Sequence, residues 1–273
     1  MNRLYNPKSG PMNVFVLFSG GASSLRAMLD DPNYGKLYRV VGALTDIPQS
    51  AGAQVCRDSS IDCLAVDRES FYRDKNLDPR SSESRKGFYK SVCEQMKSYK
   101  PHIVALCGYM HIISDPLLTE YHNRILNVHP TDLTILSGNG VSRLNAAGFR
   151  ASAVRAMMSA KKLSPKFKGG NAVRDAILVG EVETRSTVHV ARERFDEGPI
   201  LVQSKPFAFS RMESIGRAEQ YAKEAQEIMK HECDGPAYCK ALQLLAEGRL
   251  GIEFDTVFLD GKRLPYRGFR LEG

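Results

Sequence analysis

The stretch Asn13–Ser19 (NVFVLFS), followed at once by Gly20–Gly21–Ala22–Ser23–Ser24 and a helical pattern over Leu25–Leu29, decides the fold. A bounded apolar run with β-branched residues reads as a strand buried on both faces, and the small-residue turn opens a helix directly after it. Working outward, Val40–Thr45, Cys63–Val66, Ile103–Cys107 and Ile125–Val128 are further short apolar runs. Between them Ser81–Tyr99 carries helical periodicity in Phe88, Val92, Met96 and Tyr99, behind a Ser-rich N-cap region. Strands and helices in alternation predict an α/β fold: a doubly wound, mostly parallel sheet covered on both faces.

The second half changes character. Ala146–Lys162 reads as a helix between Gly138–Asn139–Gly140 and Gly169–Gly170, and Ala172–Val179 as a shorter one. Thr184–Arg192 and Ile200–Lys205 look like paired strands around Asp196–Glu197–Gly198–Pro199. Arg217–Lys230 and Cys239–Glu247 are helical, and Leu259–Lys262 is a hairpin-type turn. With no repeat and no low-complexity linker, residues 1–273 are read as one domain with an antiparallel C-terminal extension.

Composition bounds the function. At 273 residues and 42% apolar, the chain can bury a sizeable core. No apolar run approaches the ~18 residues a membrane span needs, and the polar first dozen residues do not read as a secretory signal. The six cysteines show no metal-ligand spacing, so a cytosolic chain without structural disulfide or metal is expected. The net charge of +7 is spread among acids, except in Arg143–Lys168, which holds seven basic residues and no acidic one. Such a stretch is either a solvated surface or a draw for anionic small substrates. Nucleic acid is disfavoured, with no tryptophan and 8% aromatics, as is a membrane partner.

Ligands of open α/β sheets collect at the carboxyl ends of the strands. The turn of Gly21, Ala22, Ser23 and Ser24 suits a phosphate, because backbone N–H groups can approach it at a helix N-terminus. A plain tight turn accounts for it equally well. At the end of the fifth strand, Asn127–Val128–His129–Pro130 puts a carboxamide and an imidazole on one face. Two such donors suit a developing oxyanion, although a strand-end histidine satisfied by backbone groups is the plainer reading of four residues.

Beyond these pieces the chain resembles the folate-dependent formyltransferases, in particular the glycinamide ribonucleotide branch. The resemblance rests on VLFSGGASSL (16–25), SRKGFY (84–89), ALCGYMHIIS (105–114) and RILNVHP (124–130). It continues through STVHVARERFDEGPILVQ (186–203), ALQLLAEGRL (241–250) and LDGKRLP (259–265). It implies a Rossmann-like formyltransferase fold, 10-formyltetrahydrofolate as donor, a phosphorylated amine as acceptor, and no metal. By position it implies Asn127 and His129 at the formyl carbonyl with Asp196 beside His129. The oxyanion would meet Asn127 and an imidazolium, the charged form being favoured by the neighbouring carboxylate. Asp196, through a water, would help move protons from the amine to the leaving nitrogen. Gly21, Ala22, Ser23, Ser24, Arg85 and Asp234 are implied at the acceptor and charged groups, and Met110, His111, Ile112 and Ile113 at the pteridine. Met110 and Ile112 could equally be core, Arg85 a surface charge, and His189 purely structural.

The chain departs from the family text after the histidine. A Ser-Leu-Leu-Pro type run is replaced by Thr131–Asp132–Leu133–Thr134, and Lys166–Gly169 comes some thirty residues late. The added segment, about 132–165, is either a lid over the acceptor site or a reshaping of it for another amine. Ala22, Ser24, His111, Asn171 and Val173 stand where the family has other residues. The alternatives to glycinamide ribonucleotide are an amino sugar nucleotide, or water in a 10-formyltetrahydrofolate hydrolase. The hydrolase reading is disfavoured because known hydrolases carry an extra N-terminal domain. A non-catalytic ligand-binding homologue is the reading from another class. A monomer or homodimer is expected.

Overall fold

In the computed structural model, residues 2–209 and 217–272 are described. They form two compact units, one of Pro7–Asn127 with Ala191–Glu193, the other of Met1–Asn6, Val128–Val190 and Arg194–Gly273.

In the N-terminal unit β1 (Met12–Phe18) is buried along almost its whole length, as a central strand must be. After α1 (Ser23–Asp30) come β2 (Tyr38–Thr45), α2 (Ala51–Asp58), β3 (Cys63–Ala65), α3 (Arg68–Asp74) and α4 (Ser82–Met96). β4 (Ile103–Leu106) and the first three residues of β5 (Ile125–His129) complete it. All five strands are parallel, in the order β5-β4-β1-β2-β3. The chain steps outward from β1 in one direction, then returns and steps out in the other. Right-handed crossovers therefore place α1 and α2 on one face and α4 on the opposite one. Phe88, Tyr89, Val92 and Met96 of α4 are buried with Phe15, Leu17, Val104 and Leu106 in one cluster. Burying each large side chain contributes about 1.5–3 kcal/mol. Ser81 caps α4 by accepting from the N–H groups of Glu83 and Ser84. Gly52 fits where it does because a Cβ would lie 2.6 Å from the Phe18 ring and 2.7 Å from the Gly20 carbonyl.

The C-terminal unit opens with the added segment. β6 (Ile135–Gly138) and β7 (Val141–Asn145) pair antiparallel across Asn139–Gly140, α5 (Ala151–Lys161) follows, and β8 (Ser164–Pro165) pairs back onto β6. The expected helix, Ala146–Lys162, is shorter, because residues 146–150 form a turn in which the Phe149 N–H donates to the Ala146 carbonyl and Arg150 bridges to Pro265. Gly138, at φ +144°, is required: a Cβ there would meet the Lys162 carbonyl oxygen at 2.5 Å. Leu133, Leu136, Ala146, Val154 and Leu163 bury themselves together with Ile200 and Tyr266, so the segment has its own packed core. Its positive charge is answered from outside: Arg143 by Glu181 (2.8 and 3.0 Å) and Arg155 by Asp255 (3.1 Å).

Beyond it lie α6 (Ala172–Leu178), β9 (Thr187–Val190) and β10 (Ile200–Gln203), the two strands antiparallel with a bulge between Val188 and His189. α7 (Ala218–Met229) runs through a π-type turn at Lys230–Asp234 into α8 (Gly235–Ala246). The expected second helix therefore begins four residues early. Pro236 sits in its first turn, where a missing N–H costs nothing. β11 (Leu250–Glu253) and β12 (Thr256–Leu259) form a hairpin, and β13 (Phe269–Arg270) runs parallel to β10.

Candidate active site

His129 is the last residue of β5 and is 4% exposed. Its Nε2 lies 2.9 Å from the Phe167 carbonyl oxygen, which can only accept, so Nε2 carries the proton. Thr131 Oγ1 donates to the same oxygen at 2.8 Å. On the other side of the ring Nδ1 is 3.4 Å from Asp196 Oδ2. Asp196, 7% exposed, holds a left-handed φ of +60° in the loop between β9 and β10. Asp196 Oδ2 also accepts the Gly169 N–H at 3.0 Å. Its second oxygen faces His189 Nε2 at 3.5 Å, while His189 Nδ1 is 3.1 Å from the Val190 carbonyl.

Two imidazoles and one N–H therefore surround one buried carboxylate. Burial works to raise the Asp196 pKa, but His189, His129 and Gly169 outweigh it and hold the group below the usual carboxylate range. For His129 the balance goes the other way. Burial lowers its pKa, with His189 adding to the effect, and the attraction of Asp196 does not reverse it. Burial and His189 thus oppose the charged ring expected at the oxyanion, while the Asp196 carboxylate favours it, as expected.

His189, for which a purely structural role was open, shares the carboxylate. Alternation along β9 carried the signal, because Thr187 and His189 fall on one face. Thr187 Oγ1 donates to the Thr131 carbonyl at 2.8 Å, two residues beyond His129. Asn127 is half-buried, two residues before His129 on β5, in register with Leu106.

In the N-terminal unit, Gly20 and Gly21 are exposed, and nothing lies within 4 Å of where a Cβ would be. Ala22 caps α1 with φ +50°, a conformation that favours glycine, while Ser24 is buried and Ser23 half-buried. Arg85 is half-buried on α4. Met110 is 72% exposed and Ile112 also projects to solvent, whereas Ile113 belongs to the core. A cavity of about 900 Å³ lies here, lined by Asp46, Arg68, Tyr72 and His111 among others. His111 Nε2 is 2.7 Å from Asp46 Oδ2, and Arg68 Nη1 is 2.6 Å from His111 Nδ1. A guanidinium only donates, so Nδ1 accepts and the ring proton points at Asp46. Arg68 is further held by Tyr72 Oη at 2.9 Å. Sequence reading missed Asp46 and Arg68, which only folding brings to His111.

Asp234, in the C-terminal unit, is 8% exposed and does not face solvent. Burial pushes its pKa up to about 6; nearby Ser186 and Lys230 draw it down too weakly to compensate. Neither Asp234 Oδ1 nor Ser186 Oγ completes a hydrogen bond among the described residues.

A strand-end imidazole bonded to a carbonyl oxygen, with a buried carboxylate on its other side, is a set of groups suited to acyl-type group transfer. A sequence model of the formyl transferase family matches residues 12–142 and 151–231, and the chain belongs to that family. The chain is 25% identical over 259 residues to the phosphoribosylglycinamide formyltransferase of Escherichia coli (strain K12), covering 94% of this chain and 98% of that one. Among solved structures, the phosphoribosylglycinamide formyltransferase of Coxiella burnetii matches its fold with a TM-score of 0.70 at 21% identity, over 96% and 99% of the two chains. A formyltetrahydrofolate deformylase of Pseudomonas syringae also matches, with a TM-score of 0.62 at 16% identity, over 91% of this chain and 66% of that one. No helix among the described residues is long and apolar enough to cross a membrane.

Proposed function

We propose that the chain transfers a formyl group from 10-formyltetrahydrofolate to the amine of glycinamide ribonucleotide. One observation carries this reading. The Nε2–H of His129 is already bonded to a carbonyl oxygen, that of Phe167, with Asp196 behind the ring. A formyl oxygen taking the place of the Phe167 oxygen meets a donor in the geometry that a tetrahedral oxyanion needs. The near end-to-end similarity to the Escherichia coli enzyme supports the acceptor. The deformylase is a distant match at 16% identity, and the reading keeps an amine as acceptor.

In this reading the amine nitrogen bonds to the formyl carbon and the carbonyl electrons move onto oxygen. Developing negative charge favours the protonated ring, which burial and His189 hold down, so a proton taken up from the attacking amine makes His129 a stronger donor to the oxyanion. Collapse breaks the bond from the formyl carbon to the folate nitrogen. The proton lost by the amine passes to that nitrogen, with Asp196 holding the imidazole through the exchange. Asn127 is proposed as the second oxyanion donor. In the N-terminal unit, the turn Gly21–Ser24 is proposed for the acceptor phosphate and Met110, His111 and Ile112 for the donor. Ile113 lies behind the donor residues in the core of the same unit.

The test is consumption of 10-formyltetrahydrofolate with glycinamide ribonucleotide, with an amino sugar nucleotide, or with no amine. Transfer to glycinamide ribonucleotide is expected, whereas consumption without an amine would replace transfer by hydrolysis. His129→Ala should reduce turnover by at least about 100-fold with donor binding preserved. Wild-type turnover in that variant would sink the mechanism.

A further inference from the structure

We infer that Asp132, tied to Gln203 and Arg270, is a positioning residue for His129, holding the peptide that follows the histidine so that the imidazole presents its Nε2 proton. The inference rests on the proposed role of His129 and names a residue that departs from the family text. Asp132 belongs to the Thr131–Thr134 run found in place of a Ser-Leu-Leu-Pro type sequence. An apolar residue at 132 could form none of the side-chain bonds described next.

Asp132 Oδ1 accepts from Thr134 N at 2.9 Å, Thr134 Oγ1 at 2.6 Å and Gln203 Nε2 at 2.7 Å. Arg270 closes the knot, donating through Nε to Gln203 Oε1 at 2.8 Å, with Nη2 at 3.5 Å from Asp132 Oδ2. The Asp132 N–H donates to Thr184 Oγ1 at 3.1 Å, so backbone and side chain are both held. From the knot, Gln203 Nε2 reaches Thr187 Oγ1 at 3.2 Å, and Thr187 grips the Thr131 carbonyl. Thr131 and His129 then donate to the one Phe167 oxygen. A continuous path thus runs from Arg270 to the reacting nitrogen, inside one unit.

Thr131, Thr134, Thr187 and Gln203 are fully buried, so each polar atom depends on the others for its partner. Removing Asp132 takes the acceptor from four donors at once, and the loop after His129 loses its side-chain anchor. Misplacing a catalytic group by about 1 Å can cost about 100-fold in rate.

Two readouts test this. Imidazole nitrogen shifts of His129 by NMR should show the Nε2–H form alone in the wild-type chain and a mixture with Nδ1–H in Asp132→Ala. In turnover, Asp132→Ala should lower kcat by about 10- to 100-fold with KM for donor and acceptor unchanged within about twofold. Asp132→Asn, whose Oδ1 still accepts, should keep at least about a third of wild-type kcat. Should Asp132→Ala not fold, Arg270→Met removes a donor at the open end of the knot and should lower kcat about three- to tenfold. Unchanged tautomer and kcat in both variants would overturn the inference, as would equal losses in the Asn and Ala variants. Absence of transfer to any amine in the wild-type chain would overturn the functional reading instead, leaving the NMR result to judge Asp132.

Discussion

Two aspartates of the C-terminal unit are buried to nearly the same degree and have opposite fates. Asp196 lies in a loop between strands, with His129, His189 and the Gly169 N–H directed at its oxygens. Asp234 lies in the π-type turn between α7 and α8 with one oxygen unpartnered. The same desolvation acts on both, yet the first is held ionised and the second is pushed towards neutrality. What decides the charge is therefore the set of donors and not the depth. A carboxylate met by two imidazole rings and a backbone N–H stays ionised at neutral pH, while one with an unpartnered oxygen weakens the fold wherever it is ionised.

The largest consequence falls on Asp196. Asp196→Asn keeps the shape and removes the charge, and should lower turnover by about 100-fold or more in the donor-consumption assay. Retention of more than a tenth of wild-type rate would show that the carboxylate only fills space. Next in size is Asp234→Asn, where the unpaired charge disappears. With its pKa raised to about 6, the folded state binds a proton that the unfolded chain has released. Its contribution to stability is complete below the unfolded value of about 3.9 and is lost as pH rises through 6. At pH 7 the variant should therefore be more stable in urea melts by about 1–3 kcal/mol. Equal stability of variant and parent at pH 7 would remove the contrast.

The pH dependence sharpens the same comparison. Asp196 and His129 both have depressed values, so what each contributes is present at high pH. For His129 it falls away as pH drops below about 6.5, and for Asp196 below about 3.9. Asp234 works in the opposite direction between about 4 and 6. Urea melts of Asp234→Asn across that interval should show a steeper loss of stability on acidification than the parent. An unchanged slope would mean that Asp234 titrates normally.

How much of this was legible in the text depends on range. Residues 13–24 declared a buried strand and the turn after it, because both are local in sequence, and the parallel sheet followed from their alternation with helices. His129 and Asp196 were legible only through resemblance, since nothing in the spacing of 129 and 196 says that they meet. The burial that opposes the charge of His129 was not legible, because it depends on Phe167 and the loop around it, which no pairwise rule about a neighbouring carboxylate contains. The Gly138–Gly140 turn was read as the border of a helix although it joins two strands: the strand over Val141–Asn145 is short and mostly polar. Asp132 was legible as a departure from the family and nothing more. Its partners at 203 and 270 become visible only when β10 and β13 lie side by side.

The smallest effect expected is at Ser186, and it separates two causes of the Asp234 shift. Ser186 Oγ is buried without a completed hydrogen bond, yet it draws the Asp234 pKa down from where burial alone would put it. Ser186→Ala removes both properties together. Below the Asp234 midpoint, where the carboxyl is neutral, deleting an unsatisfied hydroxyl should stabilise the chain by up to about 1 kcal/mol. Above it the ionised carboxylate loses a nearby side-chain donor, and the gain should vanish or reverse. The Asp234 midpoint, followed by carboxyl carbon shifts in NMR, should accordingly move up from its parent value. A midpoint that stays or moves down would mean that Ser186 has no hold on Asp234. The difference between the two aspartates would then rest on the imidazoles alone.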